Sequence, residues 1–450
     1  MLSGLGVYWL TYYLGHSRWG AWLAGLVFAL SPYRALRVEL GHLNLASTQW
    51  IPFYLLFLMM YVRKGRLRYA ALAVLFLVLN ALCSWYYVVA CALATLAVIG
   101  WRLVEPIPMG RLMLRLAVIA VISAVLLAPL GLPMLQIMAS TELVGEHNPL
   151  RHSVDLLSIW VPGPPSTWAS AFEQVWAPYA AQQREPGASA YLGYSVVALT
   201  LGGLAVGRGR KPVLWWLLVG LSFAVLSLGP QLQIAGHIYD INLPYAYLDR
   251  FIPGFSITGI PGRFVVMTAL ATAVLAGLAV SAGVKRLGRR AVVLMPVVSG
   301  LVAMELLTLP VAGTDTALPA FYAQMANDRD VYAVLDVKWD ANYLMHAQTV
   351  HGKPLIGGWL ARLPAEQAEY LKQGSIQQAV AKLLLREQPL PEDTATLGRL
   401  LREDLIRHNV RYVIDHNSGL QDMIANLVGW QPIHTESSPE PIVVYAPAEP

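Results

Sequence analysis

Arg34 and Arg37 stand one helical turn apart in SPYRALRVELGHLNLASTQW, residues 31–50, and His42 follows them. Two guanidinium groups so close repel each other, and the arrangement is tolerated best where an anion sits between them. A third cation, Arg263, follows a Pro-Gly turn in LPYAYLDRFIPGFSITGIPGRFVVM. Its residue type leaves two readings open, a lipid-phosphate ligand or a side chain reaching out to the membrane surface. Between these stretches, one loop gathers Glu142, Glu146, His147, Arg151, His152 and Asp155. Carboxylates can deprotonate a hydroxyl, and Arg or His can hold a phosphate. Glu142 and Asp155 are therefore the candidate bases, and Arg34, Arg37, His42, His152 and Arg263 the candidate substrate-binding cations. Trp160, Trp168 and Trp176 in the same loop, with Trp85 in the SWYY turn from Ser84 to Tyr87, offer aromatic faces. Such faces pack on sugar rings or sit in an interfacial belt. Taken singly, each of these residues is explained by a solvated loop or an interface anchor. Only their grouping points to a site.

The elements that must position them are membrane elements. Of 450 residues, 56% are hydrophobic and 13% charged, and the mean hydropathy is +0.51. Soluble domains carry about 25% charged residues, so the composition is that of a polytopic membrane protein. Apolar segments run at about 1–15, 20–32, 49–62, 69–84, 86–101, 114–133, 191–207, 212–229, 263–284 and 291–311. The reading is a mainly α helical bundle of about ten spans.

RKGRLR (63–68), Arg102–Arg115, RGRK (208–211) and KRLGRR (285–290) are short and basic, which places them in the cytoplasm. The connections 31–48, 84–87, 134–190 and 230–262 then face outward, as does the tail from 312. Parity also puts residue 1 outside, without the basic region of a signal peptide. The expectation is therefore an N-terminal truncation that removes at least one span.

Within 33–48, Leu36, Leu40 and Leu43 share one helical face, while Arg34, Arg37, Gly41, Asn44 and Thr48 share another. This predicts a surface helix whose polar face lines an outward cavity, with Gly41 and Asn44 leaving room for a ligand.

Charge divides the chain. Residues 1–311 hold 21 Lys/Arg against 10 Asp/Glu, and residues 312–450 hold 11 against 17. In the tail, DVYAVLDVKW, VRYVIDH and PIVVYAP alternate as strands. AEQAEYLKQGSIQQAVAKLLL and TLGRLLREDLIRHN read as helices between them. The tail is expected to be a small extracytoplasmic α/β domain. His346 and His351 in HAQTVHGKPLIGG are five apart, the wrong interval for a helical metal pair, so a glycine-shaped loop is expected and no metal site. The two cysteines, Cys83 and Cys91, sit in apolar runs and give no disulfide framework. No Walker motif or dinucleotide fingerprint is present, so no cofactor is expected. The pI near 9.1 reflects loop arginines, not a nucleic-acid surface.

SPYRALRVELGHLNLASTQWIPFYLLFL, the SWYY turn, LSLGPQL, LPYAYLDRFIPGFSITGIPGRF and HGKPLIGG together resemble a group of bacterial polytopic membrane proteins related to GT-C glycosyltransferases. The resemblance runs over nearly the whole chain. It implies a transferase of the plasma (inner) membrane that takes a sugar from a polyprenyl-phosphate donor. The sugar would pass to a glycan, lipid or protein acceptor on the outer face. It also implies a catalytic Asp in a first outer loop, a region that would precede Met1, so that position has no counterpart here. Arg34, Arg37, His42 and Arg263 match the group's pattern. A transporter or flippase of a lipid-linked or polar solute is the alternative; it expects charge inside spans, for which Glu305 is the main exception to otherwise uncharged segments. A non-catalytic envelope-assembly scaffold is the third reading.

Cysteine labelling tests the topology. An impermeant thiol reagent added outside should modify Ser438→Cys and leave Gly65→Cys untouched, and the opposite pattern would overturn the assignment.

Overall fold

Where two helices must approach until their backbones touch, only glycine fits at the crossing. Four glycines build the centre of this fold in that way. In the computed structural model, a Cβ on Gly4 would stand 2.8 Å from the Gly25 carbonyl oxygen. One on Gly20 would stand 2.3 Å from the Gly277 oxygen. These contacts join α1 (Leu2–Gly15), α2 (Arg18–Ala29) and, later in the chain, the helix Val265–Leu287.

The structure describes all residues except 142, 145–147, 165, 182–189, 207–209, 253–254, 256–258, 309–312, 314, 339, 357–362, 368, 370–393, 417–427 and 448–450. The chain divides into two units. Met1–Met134 with His147–Ala312 form the first, and Leu135–Glu146 with Gly313–Pro450 the second.

The first unit continues with α3 (Pro32–Glu39), α4 (Leu43–Ala46), α5 (Trp50–Lys64), α6 (Leu67–Cys83), α7 (Trp85–Ala97) and α8 (Met109–Ser140). Then come α9 (Glu173–Ala181), α10 (Tyr194–Val206), α11 (Arg210–Ser227), the hairpin β1 (Gln231–Ile234) and β2 (His237–Asn242), α12 (Pro244–Phe251), α13 (Val265–Leu287) and α14 (Ala291–Leu306). Each predicted apolar segment contains a helix among its described residues. Among the described residues, four stretches are long and apolar enough to cross a membrane: Leu43–Lys64, Trp85–Leu103, Met109–Ser140 and Pro261–Leu306. Exposed leucines and valines line α8, among them Leu114, Val121, Val125 and Leu126. An apolar surface of that extent belongs against lipid or protein.

Three details depart from the sequence reading. The helix expected over 33–48 is broken at Gly41, which has φ 69°. Gly41 N donates to the Val38 carbonyl and His42 N to that of Arg37, the two bonds of a Schellman cap. Gly41 is thus a helix terminator, and a Cβ there would meet nothing within 4 Å. Second, the segment 134–190 is not one loop, because α8 extends to Ser140 and residues 135–146 join the second unit. Third, 230–262 contains a hairpin turned at Ala235 (φ 51°) and Gly236 (φ 82°). Ala-Gly is a weaker turn signal than Asn-Gly, which hid it.

The second unit holds α15 (Ala320–Asn327), β3 (Ala333–Val337), α16 (Ala341–His351), α17 (Thr394–Arg407), β4 (Val410–Asp415), β5 (Gln431–Glu436) and β6 (Ile442–Ala446). The sheet order is β3-β4-β6-β5, with β3 parallel to β4 and the other pairings antiparallel. Three strands and α17 match the predicted segments, and β5 was not foreseen. The helix predicted in AEQAEYLKQGSIQQAVAKLLL lies largely outside the described residues.

Gly20→Val should lower the thermal midpoint of the detergent-solubilised chain, since overpacking a backbone contact costs about 1–3 kcal/mol. Gly283→Ala, where a Cβ meets open space, should leave the midpoint unchanged or raise it, as read by differential scanning fluorimetry.

Candidate functional site

Pro32 at the first turn of α3 fixes its start and sends Tyr33 and Arg37 inward on successive turns. Tyr33 is 1% exposed and Arg37 5%. α7 begins at the SWYY turn and turns Tyr87 into the same region, fully buried. The helical turn Pro261–Phe264 presents Arg263. That turn is held by Gly262 N, which donates to the His152 carbonyl at 3.1 Å. A Cβ on Gly262 would lie 3.0 Å from that oxygen, so the approach favours glycine. The loop around His152 therefore fixes the place where Arg263 enters α13.

Tyr87 donates to the Leu45 carbonyl, so the 3.0 Å contact between the Tyr33 and Tyr87 hydroxyls has Tyr33 as donor. The charges of Arg37 and Arg263 both act on the Tyr87 hydroxyl. The Arg37 guanidinium lies 5.3 Å from the Tyr33 ring centre, and that of Arg263 3.7 Å from the Tyr86 ring centre. Neither arginine belongs to a salt bridge among the described residues. Nε of Arg37, Nε and Nη1 of Arg263, and Oγ of Ser84 are buried without hydrogen-bond partners. Each cation thus lies over an aromatic face in the region of the Tyr87 hydroxyl. The chemistry this supports is capture of an anion by charge-assisted hydrogen bonds. The cluster stands at the starts of α7 and α13, opposite the ends of α7 and α13 that lead to the basic connections. Arg63 and Glu105, 3.0 Å apart, join two of those connections to each other.

The family described as a domain of unknown function, DUF6311, matches residues 1–306. The chain belongs to that family. The match closes at Leu306, the last residue of α14, so the DUF6311 segment contains the whole arginine–tyrosine cluster and excludes the α/β tail. No curated protein matches the chain.

Within the DUF6311 segment, the other candidates take separate places. Arg34 turns away from Arg37 and donates from Nη1 to the Ala29 carbonyl at 2.9 Å, at the end of α2. His42 precedes α4, half-buried. Trp85 packs across α8, 3.6 Å from where a Cβ of Gly131 would stand. Asp155 is 1% exposed, and its carboxylate accepts from Leu157 N at 2.8 Å and from Ala235 N and Gly236 N at 3.0 Å. It pins the β1–β2 turn, which explains how Ala235 holds a positive φ. Glu142 lies outside the described residues. Trp176 donates to the Pro162 carbonyl at 3.0 Å and is buried, whereas Trp160 and Trp168 are exposed.

Two carboxylates gain meaning only from the structure. Asp249 on α12 has Oδ1 buried without a partner, and burial raises its carboxyl pKa above the usual range. Its signal was the LPYAYLDRF stretch, in which Asp249 stands one turn after the buried Tyr245. Glu305 accepts from Tyr194 N at 2.5 Å, Ser195 N at 2.9 Å and the Tyr191 hydroxyl at 2.6 Å. It caps α10 from α14, so this charge has a structural employment.

The second unit has its own polar network. His416 Nε2 lies 2.8 Å from Asp336 Oδ1 and Nδ1 3.4 Å from Glu440. Tyr322 donates to Asp336 at 2.6 Å, and Lys338 to Glu440 at 2.5 Å. Burial alone would raise the Glu440 pKa, but the Lys338 hydrogen bond and His416 bring it below the ordinary value. Asp336 and His416 meet at the carboxyl ends of β3 and β4, with Glu440 reaching in from before β6. His351, expected in a loop, closes α16 and stacks on Tyr322 with ring centres 5.8 Å apart. Among the described residues no group of three or more His, Cys, Asp or Glu is placed to hold a metal ion.

A buried guanidinium such as Arg37, without a carboxylate partner among the described residues, destabilises the fold. Arg37→Met should therefore raise its melting temperature by a few degrees, at roughly 2–4 °C per kcal/mol. A lowered midpoint in scanning calorimetry would mean that Arg37 has a compensating partner.

Proposed function

We propose that the chain is a GT-C-like glycosyltransferase of the bacterial plasma membrane. It moves a sugar from a polyprenyl-phosphate donor to a glycan, lipid or protein acceptor on the outer face. The helical unit would span the membrane about ten times, with the α/β tail extracytoplasmic. The observation that supports this reading is the pair Arg37, buried, and Arg263, half-buried with Nε and Nη1 enclosed, both near Tyr87 and without carboxylate partners among the described residues. A monoester or diester phosphate carried on a lipid supplies the missing charge.

In the reaction, the acceptor oxygen attacks the anomeric carbon as the bond from that carbon to the phosphate oxygen breaks. The departing phosphate keeps the electron pair and gains a negative charge, which the two guanidinium groups stabilise more strongly than the bound diester. The acceptor proton passes to a carboxylate. Asp249 has the chemistry for this: an unpartnered buried oxygen and a raised proton affinity bring its pKa closer to neutrality. Asp155 is committed to three backbone donors, and Glu142 remains a candidate on sequence grounds alone. The transport alternative expects charge inside the spans, and Glu305, the main such charge, caps α10.

Proteoliposomes holding the full chain, a panel of radiolabelled polyprenyl-phosphate sugars and bacterial envelope lipids test the proposal. At least one donor should be consumed with release of polyprenyl phosphate. Arg37→Met and Arg263→Met should each slow that release by about 100-fold or more. Failure of every donor with the unaltered chain, or full activity in both variants, would overturn it.

A further inference from the structure

The turn at residues 63–68, between α5 and α6, carries Arg63, Lys64, Arg66 and Arg68, all of them exposed. Arg115 reaches the same turn from α8, where it donates from Nη1 to the Val62 carbonyl. Among the described residues Glu105 is the one carboxylate paired with these cations, 3.0 Å from Arg63. Two tyrosine rings stand between them. Lys64 Nζ lies 5.8 Å from the ring centre of Tyr13 and 5.5 Å from that of Tyr69. The Arg68 guanidinium lies 4.9 Å from the Tyr69 ring centre.

Half of this charge has a local explanation. Arg63 and Lys64 close α5, and the carbonyl end of a helix favours cations. Arg66 and Arg68 have the opposite placement. Arg66 is the N-cap of α6 and Arg68 stands two residues on, at the end whose dipole disfavours cations. Neither a side-chain cap nor an acidic residue in the first turn answers the N–H groups that open α6. Positive side chains are thus set on a helix end that is itself positive. Leu67, between the two arginines, is 72% exposed.

We propose that this turn binds the headgroup of an anionic phospholipid. One phosphate answers both misfits: it accepts from the opening N–H groups of α6 and from the guanidinium groups of Arg66 and Arg68. The source of the phosphate is a bilayer lipid, because the other groups of the turn suit a membrane surface. Exposed Leu67 can enter the acyl layer beneath the headgroup, and tyrosine rings belong at headgroup level. The headgroup must carry net negative charge, since the ammonium of a zwitterionic lipid would meet the remaining cations. On the topology proposed above, the lipid sits in the cytoplasmic leaflet. The site is separate from that of Arg37 and Arg263, because Tyr86 and Tyr87 follow the opposite end of α6.

Native mass spectrometry on the full chain, stripped of lipid in a neutral detergent, tests the proposal. The probes are dioleoyl phosphatidylglycerol and dioleoyl phosphatidylcholine. The unaltered chain should hold phosphatidylglycerol at least about tenfold more tightly than phosphatidylcholine. Each basic side chain beside an anionic headgroup contributes about fivefold in affinity. The double variant Arg66→Gln, Arg68→Gln should therefore bind phosphatidylglycerol at least about tenfold more weakly. The pair Arg289→Gln, Arg290→Gln, in another basic connection, should leave that affinity unchanged. Equal affinity of the unaltered chain for the two lipids, no loss in the first pair, or an equal loss in the second would each overturn the proposal. Displacement of phosphatidylglycerol by inorganic phosphate at constant ionic strength would overturn the assignment to a lipid. The binding is read without any donor sugar, so its outcome is separate from that of the transferase reaction.

Discussion

Positive charge buried without negative charge is the constraint around which the helical unit is arranged. Moving a guanidinium out of water costs several kcal/mol unless partners replace the lost hydration. Here the replacements are aromatic faces: Tyr33 beneath Arg37 and Tyr86 beneath Arg263, both in contact with the cations. They offset part of the cost and cannot neutralise the charge. The Tyr33 and Tyr87 hydroxyl protons are already committed to a chain ending at the Leu45 carbonyl, so the two tyrosines hold the cluster's shape and do not release it.

That shape depends on contacts far from the arginines. α13 carries Arg263 at its start and can lie against α2 only because Gly20 and Gly277 let the backbones meet. α3, which carries Arg37, follows α2 directly. The close α2–α13 approach therefore sets the span between the two cations. The outer segment adds a second brace. His152 holds Gly262, and Asp155, three residues on, holds the β1–β2 turn. His152 and Asp155 thus organise the neighbouring chain.

Much of this was legible in the sequence, and the rest was not for identifiable reasons. Apolar length marked the helices, and strand alternation marked three of the four strands of the tail's main sheet. Like charge one turn apart paired Arg34 with Arg37 and sent both toward Arg263. Arg34 looked equivalent to Arg37 at the level of residue type, but the free carbonyl at the end of α2 claims it. Gly41 looked like room for a ligand because a composition reading cannot see a positive φ. Glu305 looked like a functional intramembrane charge because its partners, Tyr191, Tyr194 and Ser195, lie more than a hundred residues away. His416 and Asp336 were hidden for the same reason: each sits in a recognised strand segment, and only the parallel pairing of β3 with β4 brings them together.

The central claim is that Arg37 and Arg263 share one phosphate. A cryo-EM reconstruction of the full chain with an excess of a polyprenyl phosphate decides it most directly. The account predicts phosphate density within hydrogen-bond distance of both guanidinium groups, beside Tyr87. Density held by neither arginine, or the two guanidinium groups drawn instead to a protein carboxylate, would contradict it.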